Sequence, residues 1–165
     1  MQFREATAED IHEIVALVNI AYRGEKGWTT ENALVDGDRT TPAEVLGYIT
    51  NPKSHLFVLA NASIKSVICV EVQNSSAYIG FFAVNPRLQG EGVGKKLLQK
   101  AEEFAIKQLN IKHLLMSVLA DRVELIEFYE RRGYIRTKKI EDYPINLNVG
   151  IPKKELKVIS LEKSL

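Results

Sequence analysis

Asn85-Pro86-Arg87-Leu88-Gln89-Gly90-Glu91-Gly92-Val93-Gly94-Lys95-Lys96 joins a strand-like run at 76–84 to a strongly amphipathic stretch from 92 to about 109. Three of the chain's ten glycines fall within five residues here, at Gly90, Gly92 and Gly94. Glycines let backbone N–H groups approach a ligand without side-chain obstruction. The first N–H groups of the following helix have no internal partner, and the helix dipole adds partial positive charge there. Together these make an anion site suited to phosphate or pyrophosphate. Lys95 and Lys96 add charge one turn in. The plainer alternative is a tight strand-to-helix turn that binds nothing.

Working outward from this turn, three runs rich in Val, Ile, Phe and Tyr precede it, at 55–60, 64–73 and 76–84. Their breaks, Asn61-Ala62-Ser63 and Asn74-Ser75, are short enough for hairpins, which predicts an antiparallel meander. After the turn, Val93, Leu97, Ala101, Phe104, Ala105 and Leu109 form one helical face. Residues 113–119 are almost continuously apolar, as expected of a strand buried on both faces. Residues 123–132 read as a helix with Gly133 as its left-handed stop. Two strands at 134–138 and 156–161 close the chain.

At the other end, 2–6 reads as a strand, and Thr7 caps a helix whose Asp10 completes a capping-box variant. Ile11, Ile14, Val15, Val18 and Ala21 keep helical spacing. Residues 22–41 lack a clean period, and a loop that long is usually functional. Pro42 suits the first turn of a helix that Asn51-Pro52 ends. The order predicts one domain over 1–165, an α/β (α+β) fold with a mixed sheet. The unit at 76–119 should be a right-handed parallel crossover.

Composition excludes other classes. Lys+Arg 22 against Asp+Glu 21 gives a net charge of +1, which supports neither non-specific nucleic-acid binding nor a membrane-surface protein. One cysteine, Cys69, permits no internal disulfide, and its apolar neighbours make it a buried strand residue rather than a nucleophile. His12, His55 and His113 are dispersed and offer no metal-ligand spacing. No run approaches the ~18 apolar residues of a membrane span. Met1-Gln2-Phe3-Arg4-Glu5 does not read as a signal peptide, so the expected location is cytoplasmic.

Among loops that hold a pyrophosphate, the P-loop pattern fails twice: Gln89 stands five before Gly94, and Lys96 where Ser or Thr is needed. The dinucleotide fingerprint fails in spacing and lacks an acid near Asn110-Ile111-Lys112. Gln-x-x-Gly-x-Gly is matched by Gln89-Gly90-Glu91-Gly92-Val93-Gly94. This stretch resembles the acyl-CoA motif of the Gcn5-related N-acetyltransferases, the GNAT superfamily. A second family-like motif, Phe128-Tyr129-Glu130-Arg131-Arg132-Gly133-Tyr134, follows at the expected distance. The resemblance covers about 1–140 in element order and is specific over 78–134.

The resemblance implies a mixed sheet of about seven strands flanked by about four helices, with the strands at 76–84 and 113–119 splayed apart around acetyl-CoA. It implies that amides of Gln89, Gly90, Glu91, Gly92, Val93, Gly94 and Lys95 hold the pyrophosphate. Ala83 and Val84 would offer backbone groups to the pantetheine arm. A backbone N–H near Phe82–Val84 would polarise the thioester carbonyl, a kind of donor worth ~3 kcal/mol in a transition state. No metal is implied.

Arg122, Leu125, Ile126 and Tyr129 fall on one helical face, which turns Tyr129 inward. Spacing alone leaves a core tyrosine and a catalytic one open. The resemblance makes Tyr129 the general acid that protonates or holds the departing thiolate. The family often has asparagine where this chain has Arg122, and alanine where it has Leu125. Arg122 is thus a candidate contact to a coenzyme phosphate, or the partner of a neighbouring carboxylate. A base must take the amine's proton. The strand at 76–84 has no carboxylate, and Glu71 is the nearest candidate, with a solvent-facing strand residue and a water relay as alternatives.

The resemblance puts the amine acceptor between 22–41 and 141–152. The first holds Tyr22, Arg23, Glu25, Trp28, Asp36, Asp38 and Arg39, and the second Tyr143-Pro144-Ile145-Asn146. The mixture of signs suits a small zwitterionic amine or a peptide N-terminus. The basic run Arg131, Arg132, Arg136, Lys138 and Lys139 is either a solvated face or a partner for the coenzyme's 3′-phosphate. The expected activity is transfer of acetyl from acetyl-CoA to a primary amine. Transfer of a longer acyl group and a non-catalytic acyl-CoA sensor are the alternatives. Dimers are frequent in the family, and the sequence itself fixes no oligomeric state.

Overall fold

The apolar stripe of the first helix is realised as buried Ile14, Leu17, Val18 and Ala21 on α1 (Ile11–Arg23). A 3-10 turn at Ala8–Asp10 leads into it, and Asp10 accepts from the Thr7 backbone N–H at 2.8 Å and from both terminal nitrogens of Arg4. The computed structural model describes residues 1–23, 34–143 and 150–165. The remaining elements are β1 (Gln2–Glu5), β2 (Val35–Asp36), α2 (Pro42–Thr50), β3 (Ser54–Ala60), β4 (Ile64–Gln73) and β5 (Ser76–Val84). Then come α3 (Val93–Lys107), β6 (His113–Leu119), α4 (Val123–Glu130), β7 (Ile135–Asp142), β8 (Ile151–Pro152) and β9 (Lys157–Ser164).

Seven strands form one mixed sheet in the order β1-β3-β4-β5-β6-β9-β7, and β2 pairs with β8 separately. The meander is present: β3–β4 and β4–β5 are antiparallel, while β5 and β6 are parallel. Two cores cover the two faces. One unites α3 and α4 with the sheet through Leu97, Ala101, Leu114 and Ile126. The other unites α1 and α2 with it through Ile14, Val18, Val45 and Val58. Cys69 lies in the second, 3% exposed, and burial pushes its thiol pKa up to about 12.

Two departures from regularity at β5 create the space for a site. First, β5 and β6 pair only at Ala77↔Leu114 and Tyr78↔Leu115, whereas β6 stays paired to β9 from His113 to Leu119. The central strands therefore part beyond Tyr78. Second, the β4–β5 register shifts between Cys69↔Gly80 and Val67↔Ala83, which puts one extra residue in β5. Phe81 adopts φ +50 there, a left-handed value rare for a bulky residue. Such a bulge ends regular pairing and re-aims side chains. Ala77 and Ile79 face α3, Phe81 and Ala83 face α1, and Phe82 and Val84 return to the α3 side.

The sequence boundaries need three adjustments. Helix α3 starts at Val93, with Gly92 as its cap. Strand β7 starts after Tyr134 and runs on to Asp142; its residues are nearly all exposed, so it carries no apolar alternation to mark its length. Strand β9 runs on to Ser164, pairing with both β6 and β7. The two-residue strands β2 and β8 are too short to leave a pattern.

Candidate active site

The splay opens two adjoining clefts. The first, about 420 Å³, lies between the end of β5, the glycine turn and α4. The second, about 490 Å³, lies between the parted halves of β5 and β6 and reaches β4 and β7. Tyr22, Phe82, Arg122, Leu125 and Tyr129 line both and form their common wall.

The first cleft gathers most of the residues expected to hold a coenzyme. Phe82, Ala83, Val84, Gln89, Gly90, Gly92, Gly94, Lys95 and Arg122 all line it. Glu91 and Val93 do not: Glu91 is exposed, and the Val93 side chain is packed in the core. Only the backbone of Val93 is available to a ligand. Gln89 Nε2 donates to Val84 O at 3.4 Å, which ties the turn to the strand it leaves.

Gly92 caps α3 with φ +80, a conformation that a side chain would strain. A Cβ on Gly94 would stand 3.2 Å from Val84 Cγ2 and 3.4 Å from Phe82 Cζ, so its absence lets the helix start close against β5. The first helical bond runs from Lys96 N to Gly92 O at 3.0 Å, so the N–H groups of Val93, Gly94 and Lys95 precede it. Such unpaired donors at a positive helix end suit an anion.

Arg131 and Arg132 line the same cleft. Arg132 Nη1 donates to Phe128 O at 2.7 Å, and its guanidinium lies 3.7 Å from the Phe128 ring centre. Its Nε is buried with no hydrogen-bond partner among the described residues. Burial, aided by the neighbouring Arg131, lowers its pKa from the ordinary arginine value. A buried orphan donor beside a helix N-terminus fits a phosphorylated ligand.

Tyr129 is 6% exposed, with ring contacts to Phe82, Phe128 and Tyr134. Its hydroxyl has no hydrogen-bond partner among the described residues, and it lines both clefts. Burial raises its pKa well above the ordinary tyrosine value, with Tyr22 adding to the shift and Arg122 opposing it. It therefore keeps its proton. Tyr134, five residues on, is as buried but satisfied: its hydroxyl donates to Glu102 Oε2 at 2.8 Å.

Glu71 lines the second cleft, half-buried, with Tyr129 on the same cavity. Arg122 is the residue before α4, and its guanidinium lies 5.6 Å from the Tyr22 ring centre. Arg39, Tyr143, Lys139 and Glu141 also line this cleft. The sequence reading passed over Glu44, Tyr48 and Tyr78, which line it from α2 and β5. Their spacing carried only helix and strand signals. Glu25, Trp28 and Pro144-Ile145-Asn146 lie outside the described residues.

Comparison with known proteins places this geometry. The model of the Acetyltransferase (GNAT) family matches residues 11–134. N-alpha-acetyltransferase 30 of Saccharomyces cerevisiae is 28% identical over 141 residues, covering 75% of this chain and 78% of that protein. Two shorter curated matches span only 37% and 29% of the relatives' own lengths. The ribosomal-protein-S18-alanine N-acetyltransferase of Escherichia coli shares the fold at a TM-score of 0.72 and 16% identity, covering 99% of this chain and 92% of that one. A Bacillus anthracis acetyltransferase solved with acetyl coenzyme A gives a TM-score of 0.59 at 21% identity, covering 73% of this chain and 67% of that one. The chain belongs to the GNAT family, whose members are N-acetyltransferases that use acetyl-CoA.

Proposed function

We propose that this GNAT protein transfers the acetyl group of acetyl-CoA directly to a primary amine, with Tyr129 at the reacting sulfur and Glu71 on the acceptor side. One observation carries the assignment: Tyr129, protonated and with no hydrogen-bond partner among the described residues, stands in the wall shared by a glycine-turn cleft and a cleft containing a carboxylate. The N–H groups of Val93, Gly94 and Lys95 receive the pyrophosphate, with the side chains of Lys95 and Arg132 as counter-charges. Arg122, on the common wall, is a second phosphate contact. Backbone groups of Phe82, Ala83 and Val84, just past the bulge, receive the pantetheine arm and the thioester carbonyl.

Glu71 takes a proton from the acceptor nitrogen, directly or through water. The nitrogen attacks the thioester carbon, and the C–S bond breaks as the carbonyl reforms. The departing sulfur takes the hydroxyl proton of Tyr129, which solvent then restores. Tyr129 has a high pKa, yet the desolvation that raises it also raises the proton affinity of a thiolate beside it.

The test is thiol release from acetyl-CoA over polyamines, amino acids and peptides, with the N-acetyl product identified by mass. Amine-dependent release, one thiol per product, is expected. Acetyl-CoA binding with no amine-dependent release across the panel would mean a sensor rather than a transferase. Propionyl-CoA and butyryl-CoA run in parallel test the acyl preference.

A further inference from the structure

We infer that Tyr78 relays the proton between the two ends of the reaction, from Glu71 on the acceptor side to Tyr129 at the departing sulfur. This rests on the transferase assignment above and adds the route by which Tyr129 regains its proton.

The placement of Tyr78 follows from the sheet. Ala77 and Ile79 are packed in the core on the α3 face, so Tyr78 between them stands on the opposite face. On that face Tyr78 and Glu71 are direct partners across the β4–β5 ladder. Side chains paired in this way start about 4.5–5.5 Å apart at Cβ. Both are half-buried, and both line the second cleft.

Tyr78 is also the last residue of β5 that pairs with β6, opposite Leu115. A Cβ on Gly80 would stand 2.9 Å from Tyr78 Cε1, so the ring lies along β5 over Gly80. The absence of a side chain at Gly80 leaves it that room. The ring therefore leans past the point where the strands part, into the opening that Tyr129 lines from α4.

Other tyrosines of the cleft reach one end of the path. Burial dominates the raised pKa of Tyr129, with Tyr22 adding, Arg122 opposing and Tyr78 adding less. Burial also dominates at Tyr48, where Glu44 and, more weakly, Glu71 add to the rise. The structure thus ties Tyr22 to Tyr129 and Tyr48 to Glu71. It ties Tyr78 to both, by register on one side and by charge on the other.

A tyrosine hydroxyl can give one proton while accepting another. As the C–S bond breaks, the sulfur takes the proton of Tyr129, Tyr129 takes that of Tyr78, and Tyr78 takes the one that Glu71 drew from the amine. Each transfer runs directly or through water. The amine has then lost one proton, the thiol has gained one, and all three side chains are back in their starting forms. Burial disfavours a phenolate at Tyr129, and a relay spares it the wait for solvent.

The experiment is a double-mutant cycle on the full chain with acetyl-CoA and the most reactive of the polyamines, amino acids and peptides tested above. Thiol release is followed in a single turnover, so product release cannot mask it. Tyr78→Phe keeps the ring over Gly80 and should slow release about 10–100-fold. Acetyl-CoA affinity by calorimetry and the KM for the amine should stay within about 3-fold, which also shows that the variant folds. Added to Tyr129→Phe, the same change should cost less than about 3-fold, because a relay acts only through Tyr129. Tyr22→Phe should show no such coupling. An unchanged rate in Tyr78→Phe, a loss confined to KM or coenzyme affinity, multiplicative losses in the double variant, or the coupling found at Tyr22 instead would each overturn the relay. An unaffected Tyr129→Phe, or silence of every amine, overturns the transferase assignment itself and the relay with it.

Discussion

The two clefts share a wall but are assembled differently. Apart from Ala21 and Tyr22, the first cleft, proposed for the coenzyme, is drawn from two stretches of chain, 82–95 and 122–132. The second cleft, proposed for the acceptor, takes side chains from α2, β4, β5, β6, β7 and β9. The first is a backbone device: a left-handed cap, a helix start and a close strand–helix approach, each demanding glycine at a fixed place. The second is a side-chain device, in which Arg39, Glu71 and Tyr48 meet only because the sheet and helices stack. The lesson is that a motif records what the backbone needs, while the second cleft is lined by residues that no local spacing connects.

The largest effect should fall on the wall between them. Tyr129→Phe should lower kcat by about 100–1,000-fold and leave acetyl-CoA affinity within a few-fold, by stopped-flow turnover and calorimetry. Unchanged kcat would remove Tyr129 from the chemistry. Burial disfavours the phenolate and raises the pKa of Tyr129 above its ordinary value of 10.0, so its proton is held as pH rises. No alkaline loss of kcat due to this residue should begin below about pH 10. An alkaline limb near pH 8 that disappears in Tyr129→Phe would contradict the assignment.

On the acceptor side, Glu71→Gln should reduce kcat/KM for the amine by about 10–100-fold without altering acetyl-CoA affinity. A loss of coenzyme binding instead would break the division between the clefts. On the coenzyme side, Gly92 sits at φ +80, so any side chain there adds strain as well as charge. Asparagine tolerates that conformation better than most residues and matches aspartate in shape. Acetyl-CoA affinity should therefore fall about 10-fold further in Gly92→Asp than in Gly92→Asn. Equal losses would mean that no anion lies beside the turn.

The smallest effect on activity belongs to Tyr134. Tyr134→Phe removes its bond to Glu102, which keeps Lys163 at 3.1 Å. Thermal unfolding should register about 1–2 kcal/mol of lost stability while kcat is unchanged. A large loss of kcat would break the distinction between the two buried tyrosines of one motif.

Much of the fold is legible in the sequence. The meander, the four helices and the strand at 113–119 follow from apolar period and breaker residues, because burial of one face imposes that period directly. Strand β7 runs past 138 without a sequence signal because an exposed edge strand is under no such pressure. The bulge at Phe81 was invisible, since the residues on either side of it keep alternating in burial while the face they occupy changes. The resemblance implies Phe82 near the thioester, but the reason it reaches the first cleft on the α3 side is that bulge.

By itself, then, the sequence determined the order of the elements other than β2 and β8, the glycine turn and the inward-facing tyrosine. Each depends on neighbours within a few residues, and local geometry constrains residue type strongly there. Only the tertiary structure decided that Tyr129 stands between two clefts with no hydroxyl partner among the described residues while Tyr134 is tied to Glu102. It alone brought Arg39, Arg122 and Tyr22 together near Glu71. The physical reason is the parting of β5 from β6 beyond Tyr78: the cavity is made of hydrogen bonds that are not formed, and unformed pairing leaves no periodic mark on the chain.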